Sequence, residues 1–441
     1  MPVIGVLRND LGIGGDDRIR SLPVAKPRSS VANGRDAFRD RDARWSPPEG
    51  LKQESRYMPG TPTSTREEVR SIRSLGPRPP LRVALVSTQK SWHGGEDQAA
   101  LLAEGLKQRG HQCLLLARED GEFTARMQRR GWHVTTFAGR GRSPGGIWNL
   151  RRQLRRLAPE VLYFNDPHAL TSAGFAAMGL PIGVRLAARR VDFPLRSTFR
   201  YRHLCDGLLC VSSAVKDACG RAGIAADRLH LVHDGVDADR MKEGLRTRGR
   251  QAIGVDRDVP LLLTVANLTD HKGHRYLMDA MPRLLARFPR LVWALAGDGL
   301  LRTELEAHAD RLGVQPQVRF LGYRQDVPDL MAAADRFVIP SHMEGLCSSI
   351  ADAMLAGCPV IATRAGGIPD LLDARGGDEP PAGWLVPVRD ADALARAVLS
   401  SLEEPLEAER RASVAYDRAI SEFTAEVMVE RTLDVCYRGL R

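Results

Sequence analysis

From residue 81 onward, short apolar runs alternate with longer segments of helical periodicity. LRVALVST, which begins at Leu81, is typical of a buried strand, and a Gly-rich turn (WHGGEDQ), a helical segment (AALLAEGLKQRG) and a second apolar run (QCLLLA) follow it. The alternation continues through EVLYFND, GVRLAARR, GLLCVSSAVKDACGRAG and LHLVHDGV. Strands that alternate with helices in this way predict a parallel sheet with helices on both faces.

A polar stretch, DADRMKEGLRTRGRQAIGVDRD, interrupts the pattern and predicts a linker with a short helix. The alternation restarts at LLLTVANL and runs through RFVIPS, SSIADAMLAG and PVIAT to ADALARAVLSSL. The expected fold class is therefore α/β, with two Rossmann-like domains that face each other across a cleft. We place them at residues 81–240 and 241–425, followed by a C-terminal helix at 426–441 that returns to the first domain. Ligands of such sheets bind at the carboxyl ends of the strands, so the cleft is the expected site.

Residues 1–80 lack this periodicity and are rich in Pro, Arg, Ser and Asp. Their composition offers too few apolar side chains to offset the entropy of ordering, which predicts a disordered N-terminal extension. A dispensable extension, a misplaced start codon and a functional tail all fit this composition. For a dispensable extension, removal is expected to leave the melting temperature and the activity nearly unchanged.

The composition narrows the class of protein. The chain of 441 residues is too long for one ordinary core, which agrees with two domains. It has no run of about 18 apolar residues and no signal-peptide pattern at its N-terminus, so we expect a cytoplasmic protein. Its seven cysteines are scattered without a C-x-x-C pair, which favours reduced thiols over disulfides or a zinc site. The net charge of +10 is uneven, with +9 in residues 81–240 and −4 in residues 241–441.

Two acids, Glu344 and Asp352, lie close together in HMEGLCSSIADAMLAG. Glu344 follows the apolar strand RFVIPS, and a helix that begins near Cys347 or Ser348 has free N–H groups that favour an anion. Gly345 permits close approach of a ligand to the backbone, and Asp352 lies about 7 Å further along the helix. A nucleotide diphosphate sugar, with its anion between two hydroxyl-bearing groups, fits this spacing. A solvated loop acid and a surface helix acid fit it as well.

Longer motifs around these acids resemble a known family. PSHMEGLCSSIADAMLAGCPVIATRAGGIPDLL is similar to the donor-site signature of retaining GT-B glycosyltransferases of the family-four type (glycosyl transferases group 1), in which seven residues separate two Glu. TVANLTDHKGHRYLMDAM, ALAGDGLLRTEL, VRFLGYRQDVPDLMAAAD, WHGGEDQAALLAEGLKQRGHQ and LHLVHDGVD extend the resemblance to about residues 81–440. It implies a first domain on the acceptor side and a second domain that binds the nucleotide sugar.

The resemblance implies roles for the residues around the two acids. Glu344 would bind hydroxyls of the donor sugar, and as a loop acid it is expected to be replaceable by alanine without loss of the fold. Asp352 stands where the family usually has the second Glu and would hold the ribose, with about one methylene less reach. Backbone N–H groups of Leu346, Cys347 and Ser348 would contact the diphosphate, although Cys347 replaces a common Gly.

Lys272, in DHKGH, would neutralise the departing diphosphate, on which negative charge builds as the glycosidic bond breaks. The family often pairs this Lys with an Arg five residues earlier, where the present chain has Asn267. Arg324 and Arg364 are candidates to supply the missing charge. Apart from the resemblance, a Lys before a Gly is an ordinary feature of solvated turns.

In the first domain, the resemblance points to a turn and a histidine. Gly94 and Gly95 would approach both the acceptor and the donor phosphate, although Gly-Gly turns are also common for structural reasons. His168, in NDPHAL, matches a His that lies beside the donor sugar in the family, although a single His is equally often structural. A basic loop, either acceptor-facing or merely solvated, contains Arg189, Arg190 and Arg196.

Together these roles predict a hexosyltransferase-type enzyme that moves a sugar, with retention, from a nucleotide diphosphate sugar to a glycan or lipid-linked glycan of the cell envelope. The donor is a co-substrate, and neither a cofactor nor a nucleic-acid partner is expected. No metal is expected to be required, because Lys272 and the helix N-terminus can stabilise the diphosphate and no acidic D-x-D metal site precedes a strand end. An inactive nucleotide-sugar binder is one alternative. A dinucleotide enzyme is another: Gly297 and Gly299 follow a strand, but Arg302 replaces the third glycine of G-x-G-x-x-G.

GRGRSPGGIWNLRRQLRRLAPE predicts an amphipathic helix in the first domain. A basic face beside an apolar face can lie on an anionic membrane, which predicts reversible contact with the inner face of the membrane. The same pattern fits a helix whose leucines face the sheet and whose arginines are solvated. The basic face consists of Arg151, Arg152, Arg155 and Arg156, and the apolar face of Ile147, Trp148, Leu150, Leu154 and Leu157.

Overall fold

The computed structural model describes residues 78–139, 141–195, 197–374 and 380–441. The predicted N-terminal extension lies outside the described residues as far as residue 77, and so does Arg196. Arg78 forms an ion pair with Asp434 (2.6 Å), and the Pro79 carbonyl accepts a hydrogen bond from the Tyr437 hydroxyl (2.6 Å). These residues pack against the C-terminal helix.

Within these ranges, the first domain contains the strands β1 (Arg82–Ser87), β2 (Gln112–Arg118), β3 (Val134–Phe137), β4 (Val161–Phe164), β5 (Val184–Arg189), β6 (Gly207–Cys210) and β7 (Leu229–Leu231). They form one parallel sheet in the order β3-β2-β1-β4-β5-β6-β7. Every residue of the central strand β4 is buried, because helices cover both faces of the sheet. This burial explains why its sequence, VLYF, is apolar throughout.

The second domain contains the strands β8 (Leu261–Val265), β9 (Val292–Ala296), β10 (Val318–Gly322), β11 (Arg336–Ile339), β12 (Val360–Thr363) and β13 (Trp384–Val386). These strands, too, form one parallel sheet, in the order β10-β9-β8-β11-β12-β13. Two parallel sheets flanked by helices confirm the predicted α/β class with two Rossmann-like domains.

Helices alternate with these strands. The first domain has α1 (Gly94–Gln108), α2 (Glu122–Arg129), α3 (Pro144–Leu157), α4 (Pro167–Ala177), α5 (Phe199–His203) and α6 (Ser213–Arg221), and α7 (Ala238–Lys242) and α8 (Arg246–Ile253) follow it. Then come α9 (His274–Arg287), α10 (Arg302–Arg311), α11 (Val327–Ala333), α12 (Ser348–Leu355), α13 (Ile368–Leu372), α14 (Ala391–Glu403), α15 (Pro405–Glu422) and α16 (Ala425–Gly439). Among the helices of the described ranges, none combines the length and the apolar character needed to cross a lipid bilayer.

The strand order reverses between β1 and β4 in the first sheet and between β8 and β11 in the second. Ligands of open α/β sheets bind outside the carboxyl ends of the strands at such a switch point. Gly94 and Gly95 follow β1, and His168 follows β4; Lys272 follows β8, and Glu344 follows β11. The topology therefore puts these five candidate residues at the two switch points.

The chain passes between the two sheets twice, and the two crossings lie side by side. The Val236 N–H donates to the Phe423 carbonyl, and the Ala425 N–H donates to the Val236 carbonyl, each at 2.9 Å. After the second crossing, α16 packs on α1, where a β-carbon at Gly105 would come within 2.5 Å of Val429. The C-terminal helix is therefore packed against the first domain.

Candidate functional site

Lys272 and Glu344 are 72 positions apart in the sequence and meet at the carboxyl edge of the second sheet. Lys272 ends a short 3₁₀ helix after β8, and Glu344 lies in the loop between β11 and α12, here named the donor loop (residues 341–347). The Lys272 ammonium donates to Glu344 Oε1 at 2.7 Å, and the Ser341 hydroxyl donates to the same oxygen at 2.7 Å. Glu344 is only 7% exposed, so this loop acid is buried and paired rather than solvated.

The ion pair keeps Lys272 charged. Burial alone would lower the pKa of Lys272, but the Glu344 carboxylate and other nearby acidic groups outweigh burial and raise it above its ordinary value. A cation is therefore held at the carboxyl edge of the sheet at neutral pH, where it can act on an anionic ligand.

Cys347 caps the N-terminus of α12 with a left-handed backbone (φ 79°). This conformation explains why glycine is common at the position, because it strains other L-residues by about 1–2 kcal/mol. The buried thiol lies 3.4 Å from the Ser349 hydroxyl, and burial together with the charge of Glu344 raises the pKa of Cys347 to about 12. The thiol is therefore neutral, and the free N–H groups of the first helical turn are what can receive an anion here.

Asp352 is half-buried on α12, near Asp97 of the first domain and near Asp237 and Arg240, which lie where the chain first crosses between the domains. Burial raises the pKa of Asp352 to about 7; Arg240 opposes this rise, and Asp97 and Asp237 add to it. The protein alone thus compensates an ionised carboxylate poorly at this position. Hydroxyl groups of a ligand would stabilise the carboxylate by donating hydrogen bonds to it.

We expect Asp352→Asn to raise the melting temperature of the ligand-free protein and to weaken nucleotide binding. The pKa of Asp352 rises from its ordinary 3.8 to about 7 on folding, so the folded state binds the proton more tightly. Burying the carboxylate does not lower the stability of the fold below about pH 4, where Asp352 is protonated in both states. It lowers that stability by its full amount above about pH 7, where Asp352 is ionised in both states. The gain in melting temperature should grow between these limits and then level off. Thermal denaturation as a function of pH checks this, with the exposed Asp392→Asn as control, and a gain independent of pH would contradict it.

Gly94 and Gly95 open α1, and protein packing does not require glycine at either position. A β-carbon at Gly94 would meet no atom of the described residues within 4 Å. One at Gly95 would lie 3.9 Å from the side-chain amide of Asn165 and 4.0 Å from the guanidinium of Arg190, which are ordinary contacts. The turn is therefore open to a ligand.

His168 lies in the first turn of α4. Asp166 caps this helix, because the backbone N–H groups of His168 and Ala169 donate to Asp166 Oδ1 at 2.9 and 3.0 Å. Nδ1 of His168 contacts the guanidinium of Arg142. The structure thus places His168 at the switch point of the first sheet, and Lys272 with Glu344 at that of the second.

The position of the family's usual Arg is occupied by Asn267, which is exposed. The two arginines considered as replacements are both paired with carboxylates of nearby residues. Arg324 donates to Asp326 at 2.8 Å, and Arg364 donates to Asp373. In the structure, the cation that pairs with Glu344 is Lys272.

The glycines that suggested a dinucleotide site are explained by packing. A β-carbon at Gly297 would come within 1.9 Å of the Ala266 carbonyl, and one at Gly299 within 2.4 Å of the Leu268 carbonyl. The loop between β9 and α10 therefore needs both glycines to pass the loop after β8. No bound pyrophosphate is required to account for them.

Sequence reasoning missed a buried polar group beneath the Gly94–Gly95 turn. Glu96 is 2% exposed, and its carboxylate accepts a hydrogen bond from the His93 N–H at 3.2 Å. It also lies 3.4 Å from the Ser87 hydroxyl and the Asn165 amide, and burial raises the pKa of Glu96 to about 7. Ser87 ends β1 and Asn165 directly follows β4. A polar residue at the carboxyl end of a buried strand was the signal that could have identified this group.

Asp192 was also missed, although it reaches the donor loop from the loop after β5. Its Oδ2 lies close to Gly366, in the loop between β12 and α13, where an added β-carbon would be 3.0 Å from that oxygen. Burial raises the pKa of Asp192, and hydrogen bonds from its own backbone and that of Glu344 oppose the rise. Further along the cleft, the Ser213 N–H donates to Asp370 Oδ2 at 2.7 Å. The two domains are therefore in contact across the cleft.

Comparisons with known proteins agree with this geometry. Residues 246–418 match the family model described as "Glycosyl transferases group 1", and residues 92–240 match "Glycosyltransferase Family 4". A D-inositol 3-phosphate glycosyltransferase of Saccharomonospora viridis is 35% identical over 190 residues, which cover 40% of this chain and 43% of that protein. The chain thus spans less than half the length of that relative. The lipopolysaccharide core biosynthesis glycosyltransferase LpsE of Rhizobium meliloti is 29% identical over 286 residues, 65% of this chain and 78% of LpsE.

Among solved structures, the Anabaena protein HepE in complex with UDP shares this fold. The two superpose with a TM-score of 0.71 at 21% sequence identity, over 81% of this chain and 100% of HepE. Between them, the two matching family models run from residue 92 to residue 418 with a gap of only a few residues. Two facing Rossmann-like domains, the donor-loop motif and these matches lead to one conclusion: the chain belongs to the group 1 family of GT-B glycosyltransferases.

Proposed function

We propose that this chain transfers a hexose from a nucleotide diphosphate sugar to a hydroxyl of a glycan or lipid-linked glycan, with retention of configuration, in the cytoplasm. The observation that carries the proposal is the buried Lys272–Glu344 pair beside the N-terminus of α12. A cation and free helix N–H groups suit a diphosphate, and a carboxylate suits sugar hydroxyls. The relatives support it: LpsE acts in lipopolysaccharide core biosynthesis, and the HepE structure contains UDP.

The proposed reaction depends on the charge that develops as the glycosidic bond breaks. The bonding electrons pass to the diphosphate while the sugar becomes oxocarbenium-like. Lys272 and the first N–H groups of α12 stabilise the leaving oxygen. The acceptor oxygen bonds to the anomeric carbon on the face that the diphosphate leaves, and its proton passes to the departing phosphate, so the configuration is retained.

The remaining candidate residues bind the donor in this proposal. Both hydrogen bonds described for Glu344 end on Oε1, so we assign Oε2 to a hydroxyl of the sugar. Asp352 receives the ribose hydroxyls. The open Gly94–Gly95 turn admits the acceptor and the donor phosphate, and His168 lies beside the sugar.

A nucleotide-sugar screen tests the proposed function. UDP-, GDP- and ADP-sugars are compared by thermal shift, and those that bind are assayed for transfer to hydroxyl acceptors. A ligand at 100 times its Kd stabilises the native state by about 2.7 kcal/mol, which is readily measured. Binding followed by transfer supports the proposal. Binding without transfer or hydrolysis supports the alternative of an inactive nucleotide-sugar binder, and failure of every nucleotide sugar to bind contradicts both.

We expect sugar transfer to survive treatment with EDTA. In the proposed reaction, Lys272 and the N–H groups of α12 carry the charge stabilisation that a divalent cation would otherwise supply. The measurement compares initial rates before and after chelation, with a Mg²⁺-dependent enzyme as a positive control for the EDTA. Loss of turnover that Mg²⁺ or Mn²⁺ restores would show that a metal takes part.

Contact with an anionic membrane is the second part of the proposal. In the structure, the exposed arginines of α3 support this contact better than its leucines do. Leu150 and Leu154 of α3 are 0% and 1% exposed, so these leucines pack inward and cannot insert into lipid, whereas Trp148 of the same face is 63% exposed. Arg151 donates to the Ala176 and Met178 carbonyls at 2.9 and 2.6 Å. The groups left at the surface of α3 include Trp148, Arg152, Arg155 and Arg156.

We expect the triple substitution Arg152→Gln, Arg155→Gln and Arg156→Gln to weaken binding to anionic liposomes. Each arginine near such a surface contributes about 1 kcal/mol, and the contribution falls with added salt. Co-sedimentation with neutral and anionic vesicles measures the effect. The matched control replaces three exposed arginines of the second domain, Arg283, Arg287 and Arg290, by Gln. Equal sedimentation with both kinds of vesicle, or none with either, would favour an acceptor in solution.

A further inference from the structure

Arg190 directly follows β5, and acceptors of the first domain surround its guanidinium. Nε donates to Asp234 Oδ1 at 2.9 Å, and Nη2 donates to the Tyr163 hydroxyl at 3.0 Å. Nη1 donates to the side-chain oxygen and the backbone carbonyl of Asn165 at 2.8 and 3.1 Å. The Arg190 side chain is 14% exposed. A planar group with several fixed donors is therefore satisfied on three sides, and a lysine ammonium could not reproduce this pattern.

The backbone of the same residue lies against the donor loop of the second domain. A β-carbon at Gly345 would come within 2.0 Å of the Arg190 carbonyl, so only glycine fits at this point of the loop. Gly345 directly follows Glu344, the acid that pairs with Lys272. A shift of the Arg190 backbone would therefore displace Gly345 and, with it, the neighbouring Glu344 that pairs with Lys272.

Two partners of Arg190, Asp234 and Asn165, connect it to other parts of the site. Asp234 lies two residues before Val236, whose N–H and carbonyl pair the two chain crossings between the domains. Asn165 donates through its side-chain amide to the Gly95 carbonyl at 3.1 Å. Arg190 thus joins the crossing segment, the Gly94–Gly95 turn and the donor loop.

We propose that Arg190 is a positioning residue that sets the position of the donor loop against the first domain. The proposal rests on the proposed function, since it concerns the same site. The guanidinium fixes the Arg190 backbone to the first sheet, and the Arg190 carbonyl then fixes Gly345 and the neighbouring Glu344. A misplacement of about 1 Å in such an arrangement can cost about 10²-fold in rate. Nucleotide binding should depend little on Arg190, because Lys272 and α12 belong to the second domain.

The test compares Arg190→Lys with Arg185→Lys in the full chain. Arg185 lies at the other end of β5 and donates to both oxygens of Asp206, at 3.0 Å from Nε and 2.6 Å from Nη2, so it is a matched control far from the donor loop. We expect Arg190→Lys to lower kcat about 10²-fold while the Kd for the nucleotide product changes less than about threefold. Arg185→Lys should change neither value. Equal kcat values for both variants and the wild type would overturn the proposal.

Two further measurements keep the proposal testable apart from activity. Gly345→Ala, which leaves the guanidinium contacts intact, should lower kcat as well, because its methyl group would push the donor loop away from the Arg190 carbonyl; full activity would overturn the proposal. Small-angle scattering should show a larger radius of gyration for ligand-free Arg190→Lys than for Arg185→Lys, and equal radii would count against it. The scattering result holds even for a wild-type protein that transfers no sugar, which separates failure of this proposal from failure of the proposed function.

Discussion

Glu344→Gln is expected to lower kcat for sugar transfer by about 10²–10³-fold, comparable with the loss of one preorganised hydrogen-bond donor from an active site. The amide keeps the shape of the side chain but loses the charge that holds Lys272 and binds the sugar hydroxyl. The sequence predicted a loop acid whose replacement by alanine would leave the fold intact. The structure corrects this view, because Glu344 is buried and paired. Alanine would leave a buried ammonium without its partner, at a cost of about 3–5 kcal/mol, so stability and catalysis would change together.

The measurement is a steady-state transfer assay in parallel with thermal denaturation. Glu407→Gln is the control, since Glu407 is another acid of the second domain that pairs with arginines, namely Arg410 and Arg411. Wild-type turnover in a folded Glu344→Gln enzyme would show that Glu344 and the donor loop do not form part of the active site.

Lys272→Met is expected to lower kcat by about 10²–10³-fold, with a smaller change in KM. The ammonium matters most as negative charge builds on the leaving diphosphate, so its loss should act on the transition state more than on the bound donor. Lys242→Met serves as the control, because Lys242 is an exposed lysine that pairs with Asp239 at 2.8 Å. An effect confined to KM would mean that Lys272 binds only the ground state.

The double variant Lys272→Met, Glu344→Gln separates catalysis from stability. Removing both charges of a buried pair is often neutral or stabilising, whereas removing one is costly. We therefore expect the double variant to melt above either single variant and still to be inactive. Recovery of activity together with stability would show that the pair is structural.

Local signals predicted much of the candidate site. The end of an apolar strand, a loop with an acid and a glycine, and the start of a helix are neighbours in the sequence, so the donor loop could be read directly. The family motif added Lys272, whose partner is remote in the chain. Glu96 and Asp192 escaped notice because a single acid in a polar loop looks solvated until the surrounding elements are placed. Their burial is a property of the packed domains.

The amino-acid sequence by itself determined the alternation of strands and helices, since burial on both faces of a parallel sheet requires apolar runs that a reader can see. It also determined that α3 has an apolar and a basic side. Only the tertiary structure decided that Leu150 and Leu154 face the interior, that Lys272 meets Glu344 and that Arg190 lies against Gly345. The periodicity of a helix shows that its apolar face is buried, but the element that buries it depends on the order of the strands in the sheet. The switch points of the two sheets and the contact between the domains bring together residues that no local pattern relates.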